Sequence, residues 1–191
     1  MREPIILIGG GGHCRSVIDV IEQGNQFEIS GIIDKKEFVG QDVLGYKVVG
    51  SDDALKDLRH HYKYALITVG QIKSPEIRIK LFEMLKSFGY ELPAVISPFA
   101  YVSKHATLGD GTVIMHHALI NANVTIGQNC IINTKALIEH DALIEDNCHI
   151  STGAIINGGA HVKAGTFYGS NATCKEYVHV SGFVKAGSVA K

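Results

Sequence analysis

The sequence has no excess of charge of either sign, no cysteine pair at close spacing and no long apolar run, and each lack removes a class of protein. Lysine and arginine number 18 and aspartate and glutamate 19, for a formal net charge of −1. So balanced a field gives no electrostatic handle on nucleic acid or on an anionic membrane, and neither is expected as a partner. The four cysteines (Cys14, Cys130, Cys148 and Cys174) form no Cys-x-x-Cys, which argues against a zinc ribbon or a redox motif. The first apolar run, Ile5-Ile6-Leu7-Ile8, is too short for a signal peptide or a membrane span. A cytoplasmic protein with free thiols is therefore expected. What remains is 46% apolar and 19% charged, the composition of a globular chain with a buried core.

What the chain does have is a period of six. Every sixth residue from Val102 to Val162 is aliphatic, through Leu108, Ile114, Ile120, Ile126, Ile132, Ile138, Ile144, Ile150 and Ile156. Two positions earlier runs a register of small or short residues, from Ala100 and Ala106 through Cys130 and Cys148 to Ala172. A period of six fits neither a helix nor an alternating strand, but it fits a short strand and a turn repeated. Three such sides close one coil, so a left-handed parallel β-helix is predicted over about residues 98–187, its coils about 4.8 Å apart. A β-sandwich fits less well, because its turns recur about every 8–12 residues. The residues after the aliphatic position, among them Gly109, Asn121, Gly127, Asn133, Asn157 and Gly169, are expected to take left-handed turn conformations. Tyr168 and Cys174 interrupt the aliphatic register before Val180, so the last coil is expected to pack differently. Cys130 and Cys148 should stack in adjacent coils, within reach of a disulfide but more simply as small buried residues.

Residues 1–96 read differently from 97–191. Apolar strands at 5–8, 28–33 and 64–69 alternate with helical stretches near 13–24, 52–59 and 75–88, a βαβαβ pattern that predicts a small Rossmann-like α/β domain before the β-helix. Ser74-Pro75-Glu76 supplies a cap, a first-turn proline and an acid for the third helix. The loop after the first strand, Gly9-Gly10-Gly11-Gly12-His13, lets backbone N–H groups approach phosphates at a helix amino terminus. Cys14 stands where a dinucleotide fingerprint has its third glycine, and the domain holds only one mononucleotide half, so a nucleotide-linked sugar fits better than NAD. Asp34 ends the second strand, where an acid commonly binds ribose, or else it opens a turn. His13 is placed to contact a sugar or diphosphate, or else to sit at the surface beside the cap, and Gly70 ends the third strand at the same sheet edge.

Histidines 116, 117, 140, 149 and 161 fall outside both interior registers and are expected to face outward. His140, between Glu139 and Asp141, is flanked by carboxylates that would fix its tautomer and raise its basicity, as a general base requires. Over nearly its full length the chain resembles the hexapeptide-repeat family of bacterial sugar O- and N-acyltransferases. That family includes sialic acid O-acetyltransferases and N-acetyltransferases of UDP-linked 4-amino sugars. The likeness is carried by Ile8-Gly9-Gly10-Gly11-Gly12-His13, Ile32-Ile33-Asp34, Val69-Gly70, Asn133-Thr134, Ile138-Glu139-His140-Asp141 and His149-Ile150-Ser151.

The resemblance implies a homotrimer with acetyl-CoA lying between neighbouring β-helices and no metal. It implies His140 as base and Asp141 as its orienting acid, with His149 and Gly158 at the acetyl-CoA site. The loop Gly9 to His13, with Asp34 and Gly70, would hold the nucleotide sugar. The chain departs from the family at its close, where Gly187-Ser188-Val189-Ala190-Lys191 replaces a Gly-x-Pro-Ala-Lys segment, and at Ser97-Pro98, where His-Pro is usual. The expected activity is N-acetylation of a nucleotide-linked 4-amino-4,6-dideoxy sugar for surface glycan synthesis. Sialic acid O-acetylation and a non-catalytic sugar-nucleotide sensor are the alternatives. A zinc hydratase of β-helical type is disfavoured, since no histidine pair of the helix has that family's five-residue spacing. Ile155, Phe167 and Tyr168 are expected on one prism side, available to subunit contacts.

Overall fold

The structure, a computed structural model, describes residues 2–191; Met1, where the first domain is expected to begin, lies outside them. The chain divides into two compact units, residues 1–70 with 77–93 and residues 71–76 with 94–191.

The first unit is a five-stranded sheet built from β1 (Glu3–Ile8), β2 (Phe27–Ile33), β3 (Asp42–Val43), β4 (Tyr46–Gly50) and β5 (Tyr64–Ile67) in the order β3-β4-β2-β1-β5. All neighbours run parallel except β3 and β4. Helices α1 (Gly12–Gln23), α2 (Leu55–Leu58) and α3 (Glu76–Ser87) supply the connections. Ile5, Ile6 and Leu7 are fully buried, as a central parallel strand covered on both faces requires. The α/β reading holds, with one addition: the β3–β4 hairpin was not expected from the sequence. It turns at Leu44-Gly45, both at positive φ (51° and 89°), and Asp42 Oδ1 accepts the Gly45 N–H at 2.8 Å. A leucine at a left-handed position hid the turn from sequence reading. Arg78 of α3 is fully buried and donates from Nη1 to the carbonyls of Ile67 and Val69, which closes the free end of β5.

The second unit is a left-handed parallel β-helix with three faces of two-residue strands, carrying six, five and six strands. Leu119 pairs with Leu137, Thr125 with Leu143 and Ile131 with His149, so partners stand eighteen residues apart and one coil equals three hexads. The aliphatic and small registers both point inward, and Ile114 through Val162 with Ala118 through Ala172 form one buried column. Cys130 and Cys148 are buried free thiols, with the Cys148 N–H donating to Cys130 Sγ at 3.4 Å.

Several expectations need correction. The first strand of the helix is Val95–Ile96 and the last Val189–Ala190, so it extends beyond 98–187 at both ends. Tyr168 does not lie outside: it is fully buried in the interior column together with Cys174. Ile155 and Phe167 do not share a prism side either, since Ile155 pairs with Leu137 on one face and Phe167 with His149 on another. The break in register comes later, after Val180, where Phe167 pairs with Phe183 and Thr173 with Val189, sixteen residues apart. The left-handed conformation falls not directly after the aliphatic residue but two positions further on, at His117, Asn123, Asn129, Lys135, Asp141, Asn147, Gly153, Gly159, Gly165, Asn171 and Tyr177. Gly109, Gly127 and Gly169 are small for a different reason: a Cβ there would stand 2.5 Å from Gln128 N, 2.2 Å from Asp146 Oδ1 and 2.5 Å from Ala186 N.

Candidate active site

His140 sits at the corner between strands Leu137–Ile138 and Leu143–Ile144, with Asp141 in the left-handed position at φ 62°. That backbone turn brings the aspartate back beside its own neighbour. His140 Nδ1 and Asp141 Oδ2 are 2.8 Å apart, and Asn123 Nδ2, one coil earlier, donates to Asp141 Oδ1 at 2.7 Å. A carboxylate can only accept, so the proton lies on Nδ1 and Nε2 presents its lone pair. The bond to Asp141 holds the His140 pKa above the usual value, with Glu139 adding a smaller raising field. The amide of Asn123, then His140, hold Asp141 below the usual carboxylate range. Both side chains are about half exposed (55% and 50%).

Glu139 is not a second partner of the ring: its Oε2 accepts from Asn121 Nδ2 at 2.8 Å and from the backbone N–H of His140 at 3.4 Å. Gly158, one coil on, lies directly against the imidazole. A Cβ there would stand 2.9 Å from Cε1 and 3.0 Å from Nε2. Gly158 is buried beneath the ring, and only a glycine lets the imidazole pack this closely on the backbone.

His149 does not face solvent as expected; it is 7% exposed. Its Nδ1–H donates to the Gln71 carbonyl at 2.5 Å, Asn133 Nδ2 donates to Nε2 at 3.1 Å, and Phe167 packs edge-on at 5.2 Å. The segment 71–76 covers the ring, with Gln71 Nε2 donating to the Asn147 carbonyl. Both nitrogens of His149 are thus engaged inside the protein. No periodicity argument reveals this cover, because its source is a segment 78 residues distant.

The glycine loop belongs to the first unit. Gly9 has φ +103° and its missing Cβ would lie 2.5 Å from Val69 Cγ2, so no other residue fits. Gly10 N–H donates to Asp34 Oδ2 at 2.6 Å and Lys35 N–H to Oδ1 at 2.8 Å. Asp34 is therefore both turn residue and loop anchor, and each oxygen keeps a further lone pair. Gly11 caps α1 in extended conformation without a side-chain hydrogen bond, and Cβ atoms on Gly11 and Gly12 would meet nothing within 4 Å. Gly70 and His13 are neighbours, with a Cβ on Gly70 3.5 Å from that of His13.

Thr68, which sequence reading passed over, is buried, and its hydroxyl donates to the Gly9 carbonyl at 2.6 Å, with Ile8 O at 3.0 Å. A cavity of about 250 Å³ continues from Asp34 along Lys35, Lys36, Ser51, Asp52 and Asp53. Cys14 lies in the helix that follows, where burial pushes its thiol up to about 11, far from the range of a nucleophile.

Comparison with known proteins bears on both units. Residues 4–85 match the PglD N-terminal domain, and residues 105–140 match the bacterial transferase hexapeptide of six repeats. No curated protein sequence matches the chain. Among solved structures, the acetyltransferase domain of PglB from Neisseria gonorrhoeae FA1090 is 26% identical with a TM-score of 0.90, covering 100% of this chain and 92% of that one. The same domain in complex with acetyl coenzyme A is 25% identical with a TM-score of 0.88, covering 100% and 94%. A perosamine N-acetyltransferase variant from Caulobacter crescentus, in complex with CoA and GDP-perosamine, is 28% identical with a TM-score of 0.70, covering 97% and 92%. The two family models and these structures agree, and in both units the chain is similar to bacterial sugar acyltransferases with hexapeptide repeats.

Proposed function

We propose that the chain is an acetyl-CoA-dependent N-acetyltransferase acting on the amino group of a nucleotide-linked 4-amino-4,6-dideoxy sugar, with His140 as general base. The observation that carries this reading is the dyad: Nδ1 of His140 tied to Asp141 at 2.8 Å, in a ring that is about half exposed and packs on Gly158. Gly158 lets the imidazole lie against the backbone, and acetyl-CoA supplies the acetyl electrophile when bound. His140 Nε2 accepts the N–H proton as the new C–N bond forms and returns it to the departing thiolate as the C–S bond breaks. Asp141 holds the imidazolium between the two transfers. Gly158 and His149 belong to the acetyl-CoA site in this reading, His149 through the Gln71 carbonyl that fixes its ring and the Asn133 amide that it orients. Cys130, Cys148 and Cys174 are buried, so an acyl-enzyme has no suitable thiol.

The amino-terminal unit would hold the sugar nucleotide, with Gly9 to Gly12 and His13 at the diphosphate, Asp34 at the ribose and Gly70 beside His13. The open amino terminus of α1 suits an anion. The relative solved with GDP-perosamine acts on an amino sugar, which favours amine over hydroxyl. We further assign a homotrimer, cytoplasmic and serving surface glycan synthesis. The exposed ladder Tyr101, Leu119 and Ile155 on one face gives the apolar surface that such an assembly would bury. Among the described residues no helix is long and apolar enough to cross a membrane.

The test is thiol release from acetyl-CoA with UDP-, GDP- and dTDP-linked 4-amino sugars and with free sialic acid, each beside His140→Ala. One amino sugar should turn over, about a thousandfold slower in His140→Ala. Turnover of sialic acid alone would make the chain an O-acetyltransferase, and no turnover would leave a sensor.

A further inference from the structure

The coil beneath the dyad answers it residue for residue. Asn121-Ala122-Asn123 stands under Glu139-His140-Asp141, each pair eighteen residues apart. Asn121 Oδ1 accepts the Ala122 N–H at 2.8 Å, which turns Nδ2 towards Glu139 Oε2, also at 2.8 Å. Asn123 Nδ2 donates to Asp141 Oδ1 at 2.7 Å, and the Asp141 N–H donates to the Ala122 carbonyl at 3.2 Å. Each carboxylate that flanks the histidine therefore has an amide of its own. Glu139 is held to Asn121 and the backbone, while Asp141, tied at Oδ1, turns Oδ2 to Nδ1 of His140.

A ladder of this kind also occurs away from the dyad. Asn129 and Asn147, at φ 55° and 59°, take the same left-handed position at another corner, and Asn129 Nδ2 donates to Asn147 Oδ1 at 2.8 Å. There both rungs are amides, which suffices to join two coils. At φ 60° and 62° the rung above Asn123 is instead a carboxylate, with the histidine beside it. Neither the coil below nor the coil above, Asn157-Gly158-Gly159, brings a charge to the ring, so the fields that act on it are those of Asp141 and Glu139. At a half-exposed position, water would replace a missing amide on Oδ1. The carboxylate would then keep its charge and lose its aim, because nothing would hold its rotamer.

We propose that Asn123 is a positioning residue that acts on the base through Asp141: its amide aims the carboxylate at Nδ1 and so fixes the proton there, leaving Nε2 with the lone pair. This assignment rests on the acetyltransferase reading above. Asn123→Gly tests it, since glycine already holds the same left-handed corner position at Gly153, Gly159 and Gly165 and removes the amide without straining the turn. NMR titration of His140 in the resting protein needs no substrate. The pKa should lie above the usual histidine value of about 6.5 in the parent and fall back towards it in Asn123→Gly, and the rising limb of kcat/KM should move to lower pH with it. In the same variant kcat should drop about tenfold while KM for acetyl-CoA stays within about twofold. An asparagine that only joined coils would move the melting temperature and leave both pH profiles in place. An unshifted His140 titration or an unshifted limb in folded Asn123→Gly would overturn the assignment and leave the acetyltransferase reading standing. A parent chain without His140-dependent turnover would overturn both.

Discussion

At the scale of single residues, the site is a histidine made basic by what its neighbour does with a left-handed backbone. Because Asp141 raises the pKa of His140, the free-base form accumulates only above the usual histidine value of about 6.5. The rising limb of kcat/KM against pH should therefore lie above that value. In Asp141→Asn the limb should move to lower pH and the plateau drop about tenfold or more; a limb that stays in place would remove Asp141 as the partner of the base. Gly158→Ala puts a methyl group 2.9 Å from the imidazole. Displacing the ring should lower kcat about tenfold or more with little change in the melting curve, and full activity would mean that the ring shifts aside without consequence.

At the scale of the element, each hexad serves two masters: its interior residues fill the prism, and its corner residues meet the coil above. Gly109→Ala shows the second demand in isolation, since its methyl would press on the backbone of Gly127 and Gln128 at 2.5 Å. A loss of about 1–3 kcal/mol on denaturant unfolding is expected, and an unchanged midpoint would show that the corner yields. The hexad was legible because a period of six marks every coil alike. The hexad register alone places Tyr168 inside, and the interior column accommodates its ring where Cys174 beside it is small. The β3–β4 hairpin escaped notice because its turn begins at a leucine, and the shortened last coil because Ser181-Gly182 removes two residues without disturbing the strands on either side.

At the scale of the molecule, distant hexads are clasped by charge. Glu145 accepts the Ala164 N–H at 2.9 Å, Lys163 Nζ at 3.2 Å and His161 Nε2 at 2.6 Å. These partners, the backbone N–H first, hold its carboxyl down to about 2 from the ordinary 4.5. A lowered folded pKa stabilises above the unfolded value and is lost as pH falls through the folded one. The melting temperature should therefore fall more steeply between about pH 4.5 and 2 in the parent than in Glu145→Gln; parallel curves would leave the clasp without weight.

The candidate site was legible where its residues are sequence neighbours, as with His140 and Asp141, or repeat at a fixed interval, as with Gly158. The cover over His149 and the hydroxyl of Thr68 beneath the glycine loop were not. Each arises from contact between segments that no local pattern relates.

Every neighbour that shapes His140 from outside its own corner stands one coil away: Asn123 eighteen residues before Asp141, and Gly158 eighteen after the histidine. From Asn123 to Gly158 such a stack tolerates no change of length, whereas the last coil, beyond it, is two residues short. Loss of six residues between His140 and Gly158 would rotate all that follows by a third of a revolution and seat Ala164 upon the base. Loss of a full coil, residues 141–158, would keep the faces aligned but remove Asp141 and bring Glu176 to the same spot. In the coils before Asn121 the count is forgiving in whole turns, since a turn lost there shortens the prism and leaves the stack from Asn123 to Gly158 as it stands. Insertions and deletions that survive in relatives of this chain should therefore lie outside that stretch, and those before it should come in multiples of eighteen.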